Sequence, residues 1–153
     1  KFPEQKRVFS MIPALREAQF VRYGVMHRNT FLNSPRLLDA TYADRRDSLV
    51  AFAGQMTGVE GYVESCASGY LAAVSMAARL KDELVPDFTD KTAIGALAHY
   101  ISDSSVTSFQ PMNVNFGIIA PLEQRVKGKA NKNLAIAERA LSHLAAMESE
   151  ATQ

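Results

Sequence analysis

The chain has no tryptophan, a single cysteine and no run of eighteen apolar residues, and its 17 Lys and Arg nearly cancel its 16 Asp and Glu. Each shortage removes a class of explanation. One cysteine, Cys66, cannot close an internal disulfide, which excludes a disulfide scaffold and suits a reducing cytoplasm. Without a long apolar run there is no candidate membrane-spanning helix, and no signal-peptide pattern opens the chain. A formal net charge of +1 gives no global electrostatic footprint for nucleic acid. No Cys, His, Asp and Glu set shows metal-ligand spacing, so no metal is expected, and no G-x-S-x-G elbow or other nucleophile signature is present. Also missing is a G-x-G-x-x-G loop, the device that holds a dinucleotide pyrophosphate at the start of a Rossmann unit.

What the chain does have is a short apolar run, Leu49 to Ala53, leading into Gly54-Gln55-Met56-Thr57-Gly58-Val59-Glu60-Gly61 and then a helical pattern from Tyr62. The run reads as a buried strand. Three glycines in eight residues let the backbone bend and approach a bound group, and the helix start offers unpaired N–H groups and partial positive charge. On spacing alone the same pattern also fits a plain glycine-rich strand-to-helix connection.

The longer string from Phe52 to Gly69, FAGQMTGVEGYVESCASG, resembles the carboxy-terminal flavin-contacting segment of the folate- and FAD-dependent tRNA (uracil-5-)-methyltransferases, the TrmFO type once grouped with the Gid proteins. Three further blocks are similar to that family in the same order. They are Arg22-Tyr23-Gly24-Val25-Met26-His27-Arg28-Asn29-Thr30-Phe31 with Asn33-Ser34-Pro35-Arg36-Leu37-Leu38, then Thr92-Ala93-Ile94-Gly95-Ala96-Leu97-Ala98-His99-Tyr100, then Phe109-Gln110-Pro111-Met112-Asn113-Val114-Asn115-Phe116-Gly117. Four ordered blocks are far more specific than one glycine-rich turn.

The resemblance implies formation of 5-methyluridine in the T loop of tRNA. Methylenetetrahydrofolate is the carbon donor, reduced FAD the carrier and reductant, and NADH or NADPH the source of electrons. It implies an α/β fold: the carboxy-terminal part of a Rossmann-like, glutathione-reductase-like flavoprotein with a helical C-terminal region. Because the chain starts at Lys1 without Met and lacks the dinucleotide loop, it is expected to be one portion of a longer cytoplasmic enzyme and inactive alone, its partners being tRNA and the missing amino-terminal part. The same resemblance leaves open the related wobble-uridine carboxymethylaminomethyl-modifying flavoproteins, which share a Gly-x-x-Gly-Tyr turn. A noncatalytic domain contacting tRNA through Arg22, Arg28, Arg36, Arg125 and Lys127 is the reading from a different class.

Gly54, Gln55, Met56, Thr57, Gly58, Val59, Glu60, Gly61 and Tyr62 are the expected cofactor-binding residues. Backbone donors from Val59 to Val63 would face the negative charge of reduced flavin. His27, Arg28, Asn29, Asn113 and Asn115 are the expected substrate-binding residues. For each a structural alternative stands: His27 as a packing residue, Tyr62 as a ring packed at the helix start, Met56 as plain packing, and Asn113 and Asn115 as loop-stabilising Asx groups. The family's reactive cysteines belong to upstream segments, so Cys66 reads as a small packed residue and no catalytic residue is assigned. His99 reads as a helix-face residue and His143 as solvent-facing.

One packed unit is expected, without repeats or linkers, in three parts. Residues 1–48 read as strand-rich after a short helix from about Glu4 to Met11 that Pro13 ends, with alternating residues from Phe20 onward as extended structure and Ala43 to Ser48 as a polar loop. Residues 49–82 form the strand, turn and helix, the helix burying Val63, Ala67, Leu71, Val74 and Ala78 and approaching its neighbours closely through Ala67, Ser68, Gly69, Ala72, Ala73, Ala77 and Ala78. Residues 83–153 are mostly helical. Thr92 caps one helix with Ile94, Leu97, Ala98 and Ile101 inward, and Pro121 opens another with Leu134, Ala137, Leu141, Leu144 and Ala145 inward, Gly128 breaking or bending it. The aperiodic stretch from Ser102 to Ala120 is long enough to suggest that it lines a site.

Overall fold

The computed structural model describes residues 2–24 and 29–151. Five helices, α1 (Phe2–Phe9), α2 (Ser34–Leu37), α3 (Tyr62–Leu80), α4 (Ala93–Ser102) and α5 (Lys129–Ala151), accompany two strands, β1 (Ala43–Asp44) and β2 (Asp47–Ala51), among the described residues. Single 3-10 turns lie at Pro13–Leu15 and Gly54–Thr57. Helix and strand are thus both present, but the strands form only one antiparallel pair, Ala43 opposite Ala51 and Asp44 opposite Asp47.

The core gathers where α3 meets α4 and the segment around α2. Leu38, Tyr42, Val59, Leu71, Ala72, Leu97, Ala98, Ile101 and Phe109 are its buried members. Each of the larger aliphatic side chains contributes about 1.5–3 kcal/mol by leaving water. Tyr42 is only 1 % exposed, and burial pushes its phenol pKa upward.

Helix α3 exists because its interior is rich in Ala and unbranched side chains, which lose little entropy in a helix. Its end is specified by hydrogen bonds. Glu83 N–H reaches Ala78 C=O at 2.8 Å and Asp82 N–H reaches Arg79 C=O at 3.2 Å, with Asp82 at φ 57° in the left-handed place that glycine usually takes. Its buried face is Ser68, Leu71, Ala72, Ser75 and Ala78. The expected stripe therefore rotates: Val63 is 80 % exposed, and two serines stand inside. Gly69 approaches nothing, since a Cβ there meets open space.

Thr92 caps α4 as expected, accepting from Gly95 N–H at 3.0 Å while its hydroxyl donates to Phe88 C=O at 2.7 Å. Gly95 is where close approach is real: a Cβ would overlap the Thr89 carbonyl oxygen and lie 2.7 Å from the Phe88 carbonyl carbon. Leu97, Ala98 and Ile101 face the core, whereas Ile94 is half-buried and His99 exposed.

Several expectations are corrected. Among the described residues between 20 and 32 there is no strand. Extended chain becomes strand only with a ladder partner, and here Phe20 and Tyr23 stack instead on α1 through Phe9 to Phe20 at 5.6 Å, Phe20 to Tyr23 at 5.3 Å and Phe2 to Tyr23 at 6.0 Å. Among the described residues of the first 48, strand is confined to β1 and the start of β2, and α1 has no buried residue. The expected polar loop at 43–48 holds β1 and the turn into β2. The apolar run does form a strand, but β2 is exposed along its whole length, with Leu49 at 60 % and Val50 at 42 %.

The last helix starts at Lys129, not at Pro121. Gly128, at φ 86°, lies just before it, and Lys132 N–H bonds back to Gly128 C=O at 3.0 Å. Irregular chain fills 103–128, so residues 83–153 are less helical than expected. Ile136 is the buried anchor of α5 at 2 %, while Leu134 and Leu141 are 59 % and 67 % exposed. His143 is half-buried, its Nε2 3.3 Å from the Thr89 hydroxyl, and so does not simply face solvent. Cys66 is exposed on α3, which removes its reading as a packed residue.

Candidate flavin-contacting site

Tyr62, Gly61, Val59 and Gln55 line one hollow of about 300 Å³, together with Asn29 and Ser65. The glycine turn supplies one wall and the first turns of α3 the other. Tyr62 projects freely at the rim, 98 % exposed, so its ring is not packed at the helix start. A hollow at the lower end of the usual range for ligand sites, about 300–1000 Å³, has room for one ring system rather than a whole dinucleotide.

The turn is held from every side. Gly58 N–H closes it on Gln55 C=O at 3.0 Å, and Leu32 N–H reaches Met56 C=O at 2.7 Å. The long irregular segment then binds its exit, Met112 N–H to Gly58 C=O at 3.1 Å and Glu60 N–H to Met112 C=O at 3.0 Å. This is a parallel bridge between Val59 and Met112. In such a pairing Val59's own N–H and C=O point away from Met112, so backbone groups of the turn are left for the opposite side.

Two of the glycines also have a reason within the protein itself. Gly58 and Gly61 stand at φ 87° and 98°, where a side chain is strained. A Cβ on Gly58 would overlap the ring of Phe109, and one on Gly61 would overlap the Glu64 carboxylate and lie 2.8 Å from Asn113 Nδ2. Protein neighbours, not only a ligand, therefore demand glycine at both positions. Glu64 sits in the first turn of α3, and Gly61 provides no side-chain cap. The positive end of α3 is thus already partly answered by a carboxylate.

Of the expected cofactor-binding residues, Gln55, Val59, Gly61 and Tyr62 come together at the hollow. Thr57 is fully buried and serves the turn, its hydroxyl donating to Gly54 C=O at 2.7 Å. Met56 is 46 % exposed and Gly54, Gly58 and Glu60 contribute shape rather than lining. Among the expected substrate-binding residues, Asn29 lines the hollow, and Asn113 stands beside Gly61. Asn115 commits its amide to its own loop, Oδ1 accepting from Gly117 N–H at 2.9 Å. It belongs to the wall of a separate apolar groove of about 700 Å³ between α4 and α5. His27 and Arg28 lie outside the described residues.

Three serines were not expected at this site. Ser65 lines the hollow, Ser68 binds the turn from α3, and Ser34 donates to Thr57 C=O at 2.8 Å. A signal for two of them exists in the sequence. Ser65 and Ser68 follow Tyr62 at steps of three, which places hydroxyls on the face of α3 that the turn approaches.

The family model for "Glucose inhibited division protein A" matches residues 1–83, a stretch containing the whole turn and α3. The chain belongs to this family. It is also 57 % identical over 146 residues to the methylenetetrahydrofolate--tRNA-(uracil-5-)-methyltransferase TrmFO of Acetivibrio thermocellus, covering 94 % of this chain and 33 % of that protein. The protein of the same name from Streptococcus pneumoniae is 57 % identical over 145 residues, 94 % of this chain and 33 % of its own length. That of Lactiplantibacillus plantarum is 55 % identical over 151 residues, 98 % and 34 %. The chain thus spans about a third of the length of these curated relatives. Among the described residues of this family member no group of His, Cys, Asp and Glu could hold a metal, and no helix is long and apolar enough to cross a membrane.

Proposed function

We propose that this chain is the flavin-contacting portion of a folate-dependent tRNA (uracil-5-)-methyltransferase. The observation that carries the reading is the hollow at Gln55, Val59, Gly61 and Tyr62, which lies within the stretch of residues 1–83 that the family model matches. Its residues fit one end of FAD. The turn is tied by backbone hydrogen bonds to Leu32 and Met112, Gly54, Gly58 and Gly61 stand at positive φ, and an unpacked aromatic ring stands at the rim.

When bound, FAD would supply electrons and carry the one-carbon unit from methylenetetrahydrofolate to the uracil. The chain's own residues have simpler tasks. Backbone groups near Val59 and the Gln55 amide orient the flavin edge, Tyr62 offers a stacking face, and Asn29 and Asn113 offer amides beside it, while binding of the folate is the role proposed for His27 and Arg28. Asn115 is left to stabilise its loop. The dinucleotide-holding part of a Rossmann-like, glutathione-reductase-like fold, the tRNA partner, a nicotinamide reductant and a cytoplasmic setting all belong to the same proposal, as does inactivity of this chain alone.

The test is transfer of labelled carbon from methylenetetrahydrofolate to tRNA by the full-length polypeptide loaded with FAD. Transfer to uracil C5 is expected from the full-length protein and none from this chain by itself. Absence of transfer by the FAD-loaded full-length protein, or transfer by this chain alone, defeats the reading.

A further inference from the structure

Ser68 does not line the hollow, yet it joins the hollow's two walls. It is 1 % exposed on α3. Its Oγ accepts from Gly54 N–H at 2.8 Å and donates to Ser65 C=O at 2.7 Å. Gly54 immediately precedes Gln55 on the turn wall, and Ser65 is itself on the helix wall. One hydroxyl therefore bridges the two walls.

The linkage continues through the turn. Gly54 C=O accepts from the Thr57 hydroxyl at 2.7 Å, and Thr57 C=O accepts from the Ser34 hydroxyl at 2.8 Å. Ser34 and Thr57 are both fully buried. Three buried hydroxyls thus run from α3 through the turn to α2, and each has a partner. The contrast is Ser75 on the same helix, equally buried but with its Oγ unpartnered.

We propose that Ser68 is a positioning residue for the hollow: touching no ligand, it holds the Gly54–Thr57 turn against α3 and so determines how tightly a flavin ring is bound. Removing its hydroxyl leaves Gly54 N–H without its acceptor and frees the α3 side of a turn that Leu32 and Met112 still hold, so that Gln55 can move away from Ser65. Affinity falls because the ligand must now restore the bound shape of the turn. The proposal rests on the flavin reading above.

The experiment is FAD titration of full-length apoprotein followed by flavin fluorescence, with Ser68→Ala, Ser68→Thr and Ser75→Ala beside the unsubstituted protein. Ser68→Ala is expected to raise the Kd for FAD about tenfold, as loss of preorganisation does, and to shift the absorption band of bound flavin. Ser68→Thr keeps the hydroxyl and should restore both, while Ser75→Ala should change neither. Amide exchange of the apoprotein should quicken at Gly54 in Ser68→Ala while α3 stays protected.

A Kd within twofold of the unsubstituted value for Ser68→Ala overturns the proposal, as does a Ser68→Thr variant that regains stability without regaining affinity. Should Ser68→Ala fail to fold, Thr57→Val deletes the next hydroxyl at nearly constant shape and is held to the same tenfold loss. Unchanged affinity there overturns the proposal equally. Full-length protein that takes up no FAD even unsubstituted defeats both readings, whereas equal uptake with and without the Ser68 hydroxyl defeats this one alone.

Discussion

Phe109 lies across Gly58 so closely that a Cβ on the glycine would overlap the ring. The same ring meets Tyr100 at 5.8 Å and Phe31 at 5.9 Å, so α4, the segment before α2 and the glycine turn all converge on it. Neither residue is in a regular element, and their contact is made between segments a third of the chain apart. Gly58 also stands at φ 87°. Gly58→Ala should therefore destabilise the protein by about 2–4 kcal/mol, strain and overpacking combined. Gly69→Ala is the contrast, because its Cβ would meet open space inside α3. It should stabilise by about 0.5–1 kcal/mol. Urea denaturation of the two variants measures both, and equal effects of one sign would refute the distinction.

Gly61→Val should lower FAD occupancy of the full-length protein. The cause is local: φ 98° disfavours any β-branched side chain, and the new atoms would displace Glu64 and Asn113 at the mouth of the hollow. Flavin absorbance per polypeptide after purification is the measurement. Unchanged absorbance in folded variant would count against the site.

Thr92→Ala removes the cap to Gly95 N–H and the donation to Phe88 C=O, together with a longer contact to Thr89 C=O at 3.3 Å. A loss of about 1–2 kcal/mol is expected, in the range measured for N-cap deletions. Thr92→Ser, which retains the hydroxyl, should recover most of it. Thermal unfolding of the pair decides.

Asp44 at the β1 to β2 turn accepts from Arg46 Nε at 3.1 Å, Nη2 at 2.8 Å and backbone N–H at 2.8 Å. These bonds, the side-chain ones first, lower its pKa from 3.8 to about 2. A carboxylate whose folded pKa is depressed contributes stability that is fully present above its unfolded pKa and lost as pH falls through the folded value. The contribution should thus be constant above about pH 4 and fade toward pH 2. Arg46→Gln should shrink the stability change across that window. Denaturant midpoints at pH 5, 3.5 and 2.5 test it, and identical slopes in both proteins would refute the role of Arg46.

Much of the local structure was legible because its causes are local. Tyr62 begins a helix and Thr92 caps one, since a glycine-ended turn and a Thr followed by apolar periodicity act through neighbours in sequence. Gly128 was legible as a break, but not as the place where α5 starts. The strand expected near Leu49 forms, but none forms near Phe20 among the described residues: alternation there describes a pattern that needs a pairing partner, and those side chains stack with α1 instead.

Four ordered blocks of sequence, the string from Phe52 to Gly69 among them, carried the resemblance to the family, and that string also placed the glycine turn and the start of α3, because backbone-restricting glycines and a helix start are written in consecutive residues. Which members of that string face the hollow was decided only in three dimensions. Gln55, Val59, Gly61 and Tyr62 line it because Met112 draws the turn to one side and Ser68 fixes it from another, and both are contacts between segments distant in sequence. The inward face of α3 was settled the same way: its small residues left several stripes nearly equivalent, and burial of Ser68 and Ser75 rather than Val63 followed from what lay opposite them.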